Sequence, residues 1–354
     1  MLRIEAILLT TLALDSRKYA VLEAIVNCYN RTAEPVSSQK IVRDYDMGLS
    51  AATLRNTMAD LEELGYLTHP HTSAGRVPTE QGYRVYVDSL MTDQKLSRRE
   101  KQFIRDGYAS SRRDFEEIME QTSKILSAIS HHIGVVLSPE LHESILRRLE
   151  LISIDSEHML AVLLMASGAV KNQVVSIPKD LSDEELYRIN RILNEKLAGL
   201  PLKQIRQISQ DPVKLKAVFD QHLSDPIATV TRNTFALEQE THVYIDGTSN
   251  FFSQPEFGEV QKIESLFRVL EQKEQIADLL SSQQEPLGIQ VLIGSENGCE
   301  GMEMCSIVRS SYRVRGNQLG TIGVIGPTRM AYPRIVSIVK FTSQMISDLF
   351  EESL

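Results

Sequence analysis

Residues 49–84, LSAATLRNTMADLEELGYLTHPHTSAGRVPTEQGYR, constrain the fold more than any other stretch, because they read as one capped amphipathic helix running into a short hairpin. Ser50 stands where a hydroxyl can accept from a first-turn amide, and Gly65 stands where a left-handed residue ends a helix, so a helix is expected from Ala51 to Leu64. Leu54, Met58, Leu61 and Leu64 recur at helical spacing as its buried stripe, while Thr53, Arg55, Asn56 and Thr57 gather near its N-terminal end. A groove-reading helix presents that end to bases. Arginine can grip guanine and asparagine can grip adenine through paired hydrogen bonds, each pair worth roughly 1–3 kcal/mol of discrimination. Beyond Gly65, Tyr66 to His69 reads as a strand, Pro70 to Gly75 as a turn-rich tip and Arg76 to Pro78 as a return strand. Thr68, His69, His71, Thr72, Ser73 and Arg76 give this hairpin short polar groups and one fixed cation, which suits phosphate or minor-groove contact.

Upstream, Tyr19, Leu22, Ile25, Val26 and Tyr29 mark a first amphipathic helix, and Pro35, Ser37 and Ser38 open a second that carries Ile41, Val42 and Tyr45. Three helices followed by a hairpin predict a winged helix-turn-helix, with Ser50, Thr53, Arg55, Asn56, Thr57, His69, His71, Thr72, Ser73 and Arg76 as its DNA-binding residues. Charge limits how such a unit binds: residues 1–91 hold nine Lys/Arg against eleven Asp/Glu, so contact must use focused charge rather than a basic surface. His69 and His71 have no Cys or carboxylate at ligand spacing and read as solvated residues, not metal ligands.

The segments ADLEELGYL, PHTSAGR and GYRVYVDSLM, with GSENG and GTIGVIGPTRM near the other end, resemble the bacterial heat-inducible transcription repressor family, HrcA. The likeness runs from about Tyr19 to the closing helix. It implies a winged-helix domain, a GAF-like domain and a dimerising domain inserted into the latter. It also implies repression of chaperone operons through an inverted-repeat operator on double-stranded DNA, by a cytoplasmic protein that sits on the nucleoid when bound. A GroE-type chaperonin is the implied modulator, and repression is relieved under heat stress. Two departures stand out. Ser37-Ser38 replaces the family's usual Gly-Ser, and Gln39 stands where a basic residue is often found, which weakens phosphate contact from the second helix.

A chain of 354 residues, 42 % hydrophobic and 24 % charged, suggests two or three globular domains. Its net charge of −9 argues against a general membrane or polyanion binder. Three cysteines, Cys28, Cys299 and Cys305, are too few for a disulfide framework or a four-ligand zinc site. The run MLRIEAILLTTLAL is interrupted by Glu5 and reads as a helical extension over Met1 to Asp15, not a signal peptide. Met159 to Val170 is too short to span a bilayer, so no membrane partner is expected.

The polar stretch 92–101 reads as a linker that closes a first domain at residue 91. A long helix over Arg112 to His132 follows, with His131 and His132 expected in solvent at its end. Leu149 to Asp155, Met159 to Ser167 and Val170 to Ile177 read as a strand meander, and Ile289 to Ile293, Ser306 to Val314 and Leu319 to Ile325 as further strands, the last two joined at Arg315-Gly316-Asn317. Between them Ser182 with Glu185, Asp211-Pro212 and Asp225-Pro226 open helices. The expected class is therefore α+β and multidomain: a GAF-like α/β sheet domain over 102–184 and 246–354, split by a mostly helical dimerisation insert over 185–245.

Catalytic chemistry is not legible. Gly294-Ser295-Glu296-Asn297-Gly298 lacks the Lys-Ser/Thr of a phosphate loop and the spacing of a dinucleotide site, and reads as a strand-end loop; His142-Glu143 lacks the second His of a zincin. No enzyme, cofactor or metal is expected. The alternative to a repressor that responds to heat is a ligand-sensing regulator with a small-molecule pocket in the GAF-like domain.

Overall fold

The computed structural model describes residues 14–352, apart from 71–74, 93, 110–114, 140–144, 167, 169, 178–180, 223, 237–241, 259, 282–287 and 315–317. The expected extension over Met1 to Asp15 falls, up to residue 13, outside the described residues, as does the expected turn at Arg315-Gly316-Asn317. Among the described residues the chain is mixed α/β with antiparallel sheets, consistent with a GAF-like domain, and no helix is long and apolar enough to cross a membrane.

The head begins with α1 (Ser16–Thr32), capped by Asp15, and α2 (Ser38–Asp44), capped by Ser37, whose hydroxyl accepts from the Lys40 amide. Helix α3 (Ala51–Glu63) follows, then the two-residue strands β1 (Leu67–Thr68) and β2 (Val77–Pro78), paired antiparallel. Val21, Leu22, Ile25, Ile41, Leu54 and Leu61 pack with no exposed surface among these helices. Helix α4 (Glu80–Val85) packs so close to the hairpin that a Cβ on Gly82 would lie 2.2 Å from the Tyr66 carbonyl oxygen. It widens into a π-type turn over Tyr86–Leu90, where the Met91 amide reaches back to the Tyr86 carbonyl. The expected linker over 92–101 is helical from Arg98, because Ser97 and Glu100 form a capping box that opens α5 (Arg98–Gly107).

Helix α6 (Phe115–Ser130) leads into β3 (Ile133–Leu137), which joins β7 (Val243–Asp246), β8 (Ile289–Ile293), β9 (Cys305–Val314) and β10 (Gln318–Pro327) in the order β7-β3-β10-β9-β8. Alternation along the strands divides the core. Val136, Val308, Ile322 and Val324 face α6 and the closing helix α13 (Tyr332–Glu352), whereas Ile133, Val135, Ile307 and Ile325 face α11 (Val260–Glu271) and α12 (Lys273–Leu280). Gly134 admits α6 closely: a Cβ there would sit 2.2 Å from the Ser123 carbonyl oxygen.

The meander does not join this sheet. Strands β4 (Leu146–Ser153), β5 (His158–Met165) and β6 (Val170–Ser176) form a separate three-stranded sheet, and its inner face shares a core with α7 (Asp183–Leu197), α8 (Leu202–Gln210), α9 (Pro212–Phe219) and α10 (Asp225–Ala236). This corrects the expectation that the meander belongs with the closing strands. The chain leaves the larger sheet after β3 and re-enters at β7, and the two ends are adjacent, with the Ser138 amide 3.0 Å from the His242 carbonyl oxygen. Within this body, Asn190 and Asn194 lie one turn apart on α7 and line the free edge of β4. The Asn194 amide bonds both the N–H (2.9 Å) and the C=O (2.6 Å) of Leu149, and Asn190 does the same for Leu151 (2.8 and 3.0 Å). Two side chains thus complete the ladder in place of a strand.

His132, expected in solvent, is buried against Gly326, and among the described residues its Nδ1 meets no hydrogen-bond partner. Burial and the charges of Arg329, His131 and Arg334 lower its pKa to about 4. The unfolded chain therefore binds a proton here that the folded chain refuses between about pH 6.5 and 4. The neutral ring's contribution is present above that window and is lost as pH falls through it. Lowering the pH from about 7 to 5 is expected to cost about 2 kcal/mol of stability through this group. Urea denaturation should show that loss shrinking in His132→Gln; an unchanged pH dependence would assign the effect to other groups.

Candidate nucleic-acid interface

The N-terminal end of α3 is built as a polar, outward-facing tip. Ser50 Oγ caps the helix by accepting from the Thr53 amide at 3.1 Å, and it lies 2.9 Å from Thr53 Oγ1. One turn along, Arg55 and Asn56 are exposed on the face opposite Leu54, Met58 and Leu61. Thr57 lies on the other side: it is 5 % exposed and its hydroxyl donates to the Thr53 carbonyl, so it packs in the core and cannot reach a groove. The stripe is also rotated relative to expectation at its far end, where Leu64 is exposed as the helix gives way to Gly65 at φ +80°. Further along the outer face Asp60 pairs with Lys18 at 3.5 Å, so positive character is confined to the Arg55 end.

The base of the hairpin is fixed by Glu62. One carboxylate oxygen meets Arg76 Nη2 at 2.7 Å and the other meets His69 Nδ1 in a short contact. Arg76 is further held through its backbone, which exchanges two 2.9 Å hydrogen bonds with Val36 ahead of α2. The cation expected to meet phosphate is therefore already partnered, and His69 turns back toward α3 rather than outward. His71, Thr72 and Ser73 lie outside the described residues. Among those described, no group of three metal-ligating side chains gathers anywhere. Burial and Glu303 push the Cys305 thiol up to about 12, which leaves it without thiolate reactivity near neutral pH.

Spacing did not reveal the residues that join the head to the larger sheet. Arg84 on α4 meets Glu296, Glu80 meets Ser295, and Asn30 meets the Met330 carbonyl, pairs separated by 212, 215 and 300 residues. The one available signal was the Gly294 to Gly298 motif. It is indeed a strand-end turn, but its role is to receive α4: Gly294 has φ +54°, and a Cβ there would lie 2.0 Å from Glu80 Oε1.

Removing the shared acceptor tests the hairpin. Glu62→Ala is expected to cost about 1 kcal/mol and to speed amide exchange at Val36 and Arg76, measured by hydrogen exchange. Exchange at the native rate would show that the backbone bridge alone holds the hairpin.

Residues 116–336 match the family model described as the HrcA protein C terminal domain. The chain is 39 % identical over 338 residues to a heat-inducible transcription repressor HrcA of Pelotomaculum thermopropionicum, covering 96 % of this chain and 97 % of that protein. It is 38 % identical over 339 residues to the same-named protein of Geobacter sulfurreducens, covering 96 % and 98 %. A crystal structure of a hypothetical protein at 21 % identity superposes with a TM-score of 0.63 over 96 % of this chain and 100 % of the other, a likeness of fold. A family model matching more than half of the chain and relatives of this identity along nearly all of it lead to one assignment: the chain belongs to the heat-inducible transcription repressor HrcA family.

Proposed function

We propose that this chain represses heat-shock (chaperone) genes by binding an inverted-repeat operator as a homodimer, and that its head is a winged helix-turn-helix. The observation that carries the reading is the tip of α3, where a Ser50-capped helix end exposes Arg55 and Asn56 beside the β1–β2 hairpin. In this reading Arg55 and Asn56 contact base edges, and Ser50 and Thr53 contribute hydroxyls to a nearby phosphate. Glu62, Arg76 and His69 hold the base of the hairpin beside that helix end; Thr57 is assigned to the core.

The five-stranded sheet between its two helix layers is read as the GAF-like domain, and the three-stranded sheet with α7–α10 as the insert. The adjacency of Ser138 and His242 supports an insertion spanning 139–241, wider than the 185–245 expected from helical content alone. The outer face of the small sheet is the proposed dimer surface. Leu160 lies opposite Ile152 and Val174, and Leu164 opposite Val170, with Ile152, Val170 and Val174 exposed. Two heads joined this way match a palindromic operator. The protein is read as cytoplasmic, with a GroE-type chaperonin sustaining its active fold. A stability of about 5–15 kcal/mol leaves room for heat to deplete that fold.

A ligand-sensing alternative has one observation in its favour, a cleft of about 1610 Å³ between head and sheet, lined by Arg84, Lys101, Val291, Arg313, Lys340 and Phe341. A gel shift at fixed salt on a chaperone-promoter inverted repeat and a half-site-scrambled control, with and without chaperonin, separates the two. Preferential binding strengthened by chaperonin supports the repressor; equal binding to both probes turns attention to the cleft.

Two variants sharpen the test. Arg55→Ala is expected to weaken operator binding by roughly 10-fold or more per head while leaving the dimer intact in sedimentation, and unaltered affinity would remove Arg55 from the interface. Excising 139–241 and joining the ends with a short glycine turn is expected to give a folded monomer that binds a single half-site. A dimeric product would place the interface elsewhere.

A further inference from the structure

One set of contacts between head and sheet gathers on the outer edge of β8. That strand is terminal in the order β7-β3-β10-β9-β8, so among the described residues no neighbouring strand meets its outward N–H and C=O groups. Glu296 accepts from the Ile293 amide at 2.9 Å, and Arg84 Nη2 donates to the Val291 carbonyl at 2.6 Å, two positions apart on the same edge. The same guanidinium donates from Nε to Glu296 at 2.9 Å and from Nη1 to Asp88 at 3.0 Å. An ion pair with one member on the head and the other on the loop after β8 thus stands where a sixth strand would run. Burial alone would lower the Arg84 pKa, but the hydrogen bond and charge of Glu296, with Asp88, hold it above the ordinary arginine value.

A second point of attachment lies at the turn between β10 and α13. Asn30 Nδ2 donates to the Met330 carbonyl at 2.8 Å, Arg329 Nη1 donates to the Asn30 carbonyl at 2.8 Å, and the Tyr83 hydroxyl donates to Asn30 Oδ1 at 2.8 Å. The Tyr83 ring packs 5.7 Å from that of Tyr332. The head and the larger sheet also share an apolar core, and the two polar attachments set the angle at which they meet across it.

We infer that Arg84 and Glu296 are a positioning pair that sets the angle at which each head presents α3, matching the two heads of a dimer to paired half-sites. The inference rests on reading the head as the DNA-binding unit. A two-fold dimer must meet half-sites about 34 Å apart or a multiple of that. A swivelling head bears an ordering cost when both half-sites are engaged and none when only one is. Removing Glu296 leaves a partly buried guanidinium without its main carboxylate, so either single change loosens the head's angle while the Asn30 attachment and the shared apolar core keep it joined.

The test uses the full chain as wild type, Arg84→Ala and Glu296→Gln, each checked for native thermal unfolding. Spin labels at exposed Glu34 on the head and Glu264 on α11 report the head's angle by pulsed electron resonance. With labelled chain diluted in an excess of unlabelled chain, so that only the distance within one protomer is read, the wild type is expected to give one narrow distance distribution and both variants a broad one. Gel shifts on the chaperone-promoter inverted repeat, the same repeat with half a helical turn inserted, and a single half-site complete the comparison. Arg84→Ala is expected to lower affinity for the intact repeat about tenfold and to flatten the dependence on spacing, with single half-site affinity held within about twofold. A narrow distribution with an unchanged spacing profile overturns the inference. A rise in affinity for the intact repeat also overturns it, since the pair would then hold the heads off the operator. If one variant fails to fold, the other carries the comparison. A wild type that binds none of the probes defeats the DNA-binding reading, while the label distances still decide whether Arg84 and Glu296 fix the head.

Discussion

A guanidinium withdrawn from water keeps its charge at tolerable cost only where carboxylates and carbonyls are arranged to receive its fork of donors. At Arg84 those acceptors come from three places: Asp88 one turn along the same helix, Glu296 after β8, and the Val291 carbonyl within it. None can shift without leaving another unpaired. The relation of α3 to the larger sheet follows from this joint together with Asn30 and Arg329, and the path of the chain after Met91 must start from there.

The rest of the molecule divides along its apolar cores. The core between the larger sheet and α6 and α13 is continuous with that of the head, so these regions bury surface together. The small sheet and α7–α10 enclose a core of their own. The chain enters and leaves that body at neighbouring ends of the paired strands β3 and β7, whose register is set within the larger sheet. The head thus shares its core with the larger sheet, while the smaller body keeps a core of its own and joins the rest through one pair of crossings.

Local signals in the sequence were reliable where the chemistry is local. Ser50, Gly65, the Ser182–Glu185 box and Asp211 end or start helices because a hydroxyl, a carboxylate or an absent Cβ acts within one turn, and each does so in the structure. The tip bearing Arg55 and Asn56 was legible for the same reason. Orientation was less so: Thr57 and Leu64 lie at the margins of the apolar stripe, where packing against α1 and α2, not spacing, decides which side is inward. Sheet membership was not legible either. Alternation looks alike in any antiparallel strand, and what keeps β4 apart from β10 is the apolar face that α7 to α10 bring to it. His132 sits at a helix end, which usually means solvent, but Gly326 lets β10 close over its ring.

The amide pair Asn190 and Asn194 bears on how copies of this chain can gather. The opposite edge of the small sheet is also attended by helix α10, where Asn233 donates to the Ser176 carbonyl at 2.7 Å and Gln173 reaches the Thr234 carbonyl. With helices along both margins, strand-to-strand stacking from copy to copy is obstructed, and stacking of that kind is what yields open-ended fibres. The broad outer face, where Ile152, Val170 and Val174 are exposed, carries no such guard among the described residues. Two copies meeting across that face, as proposed above, would use it up, and the guarded margins would offer no strand edge to a third.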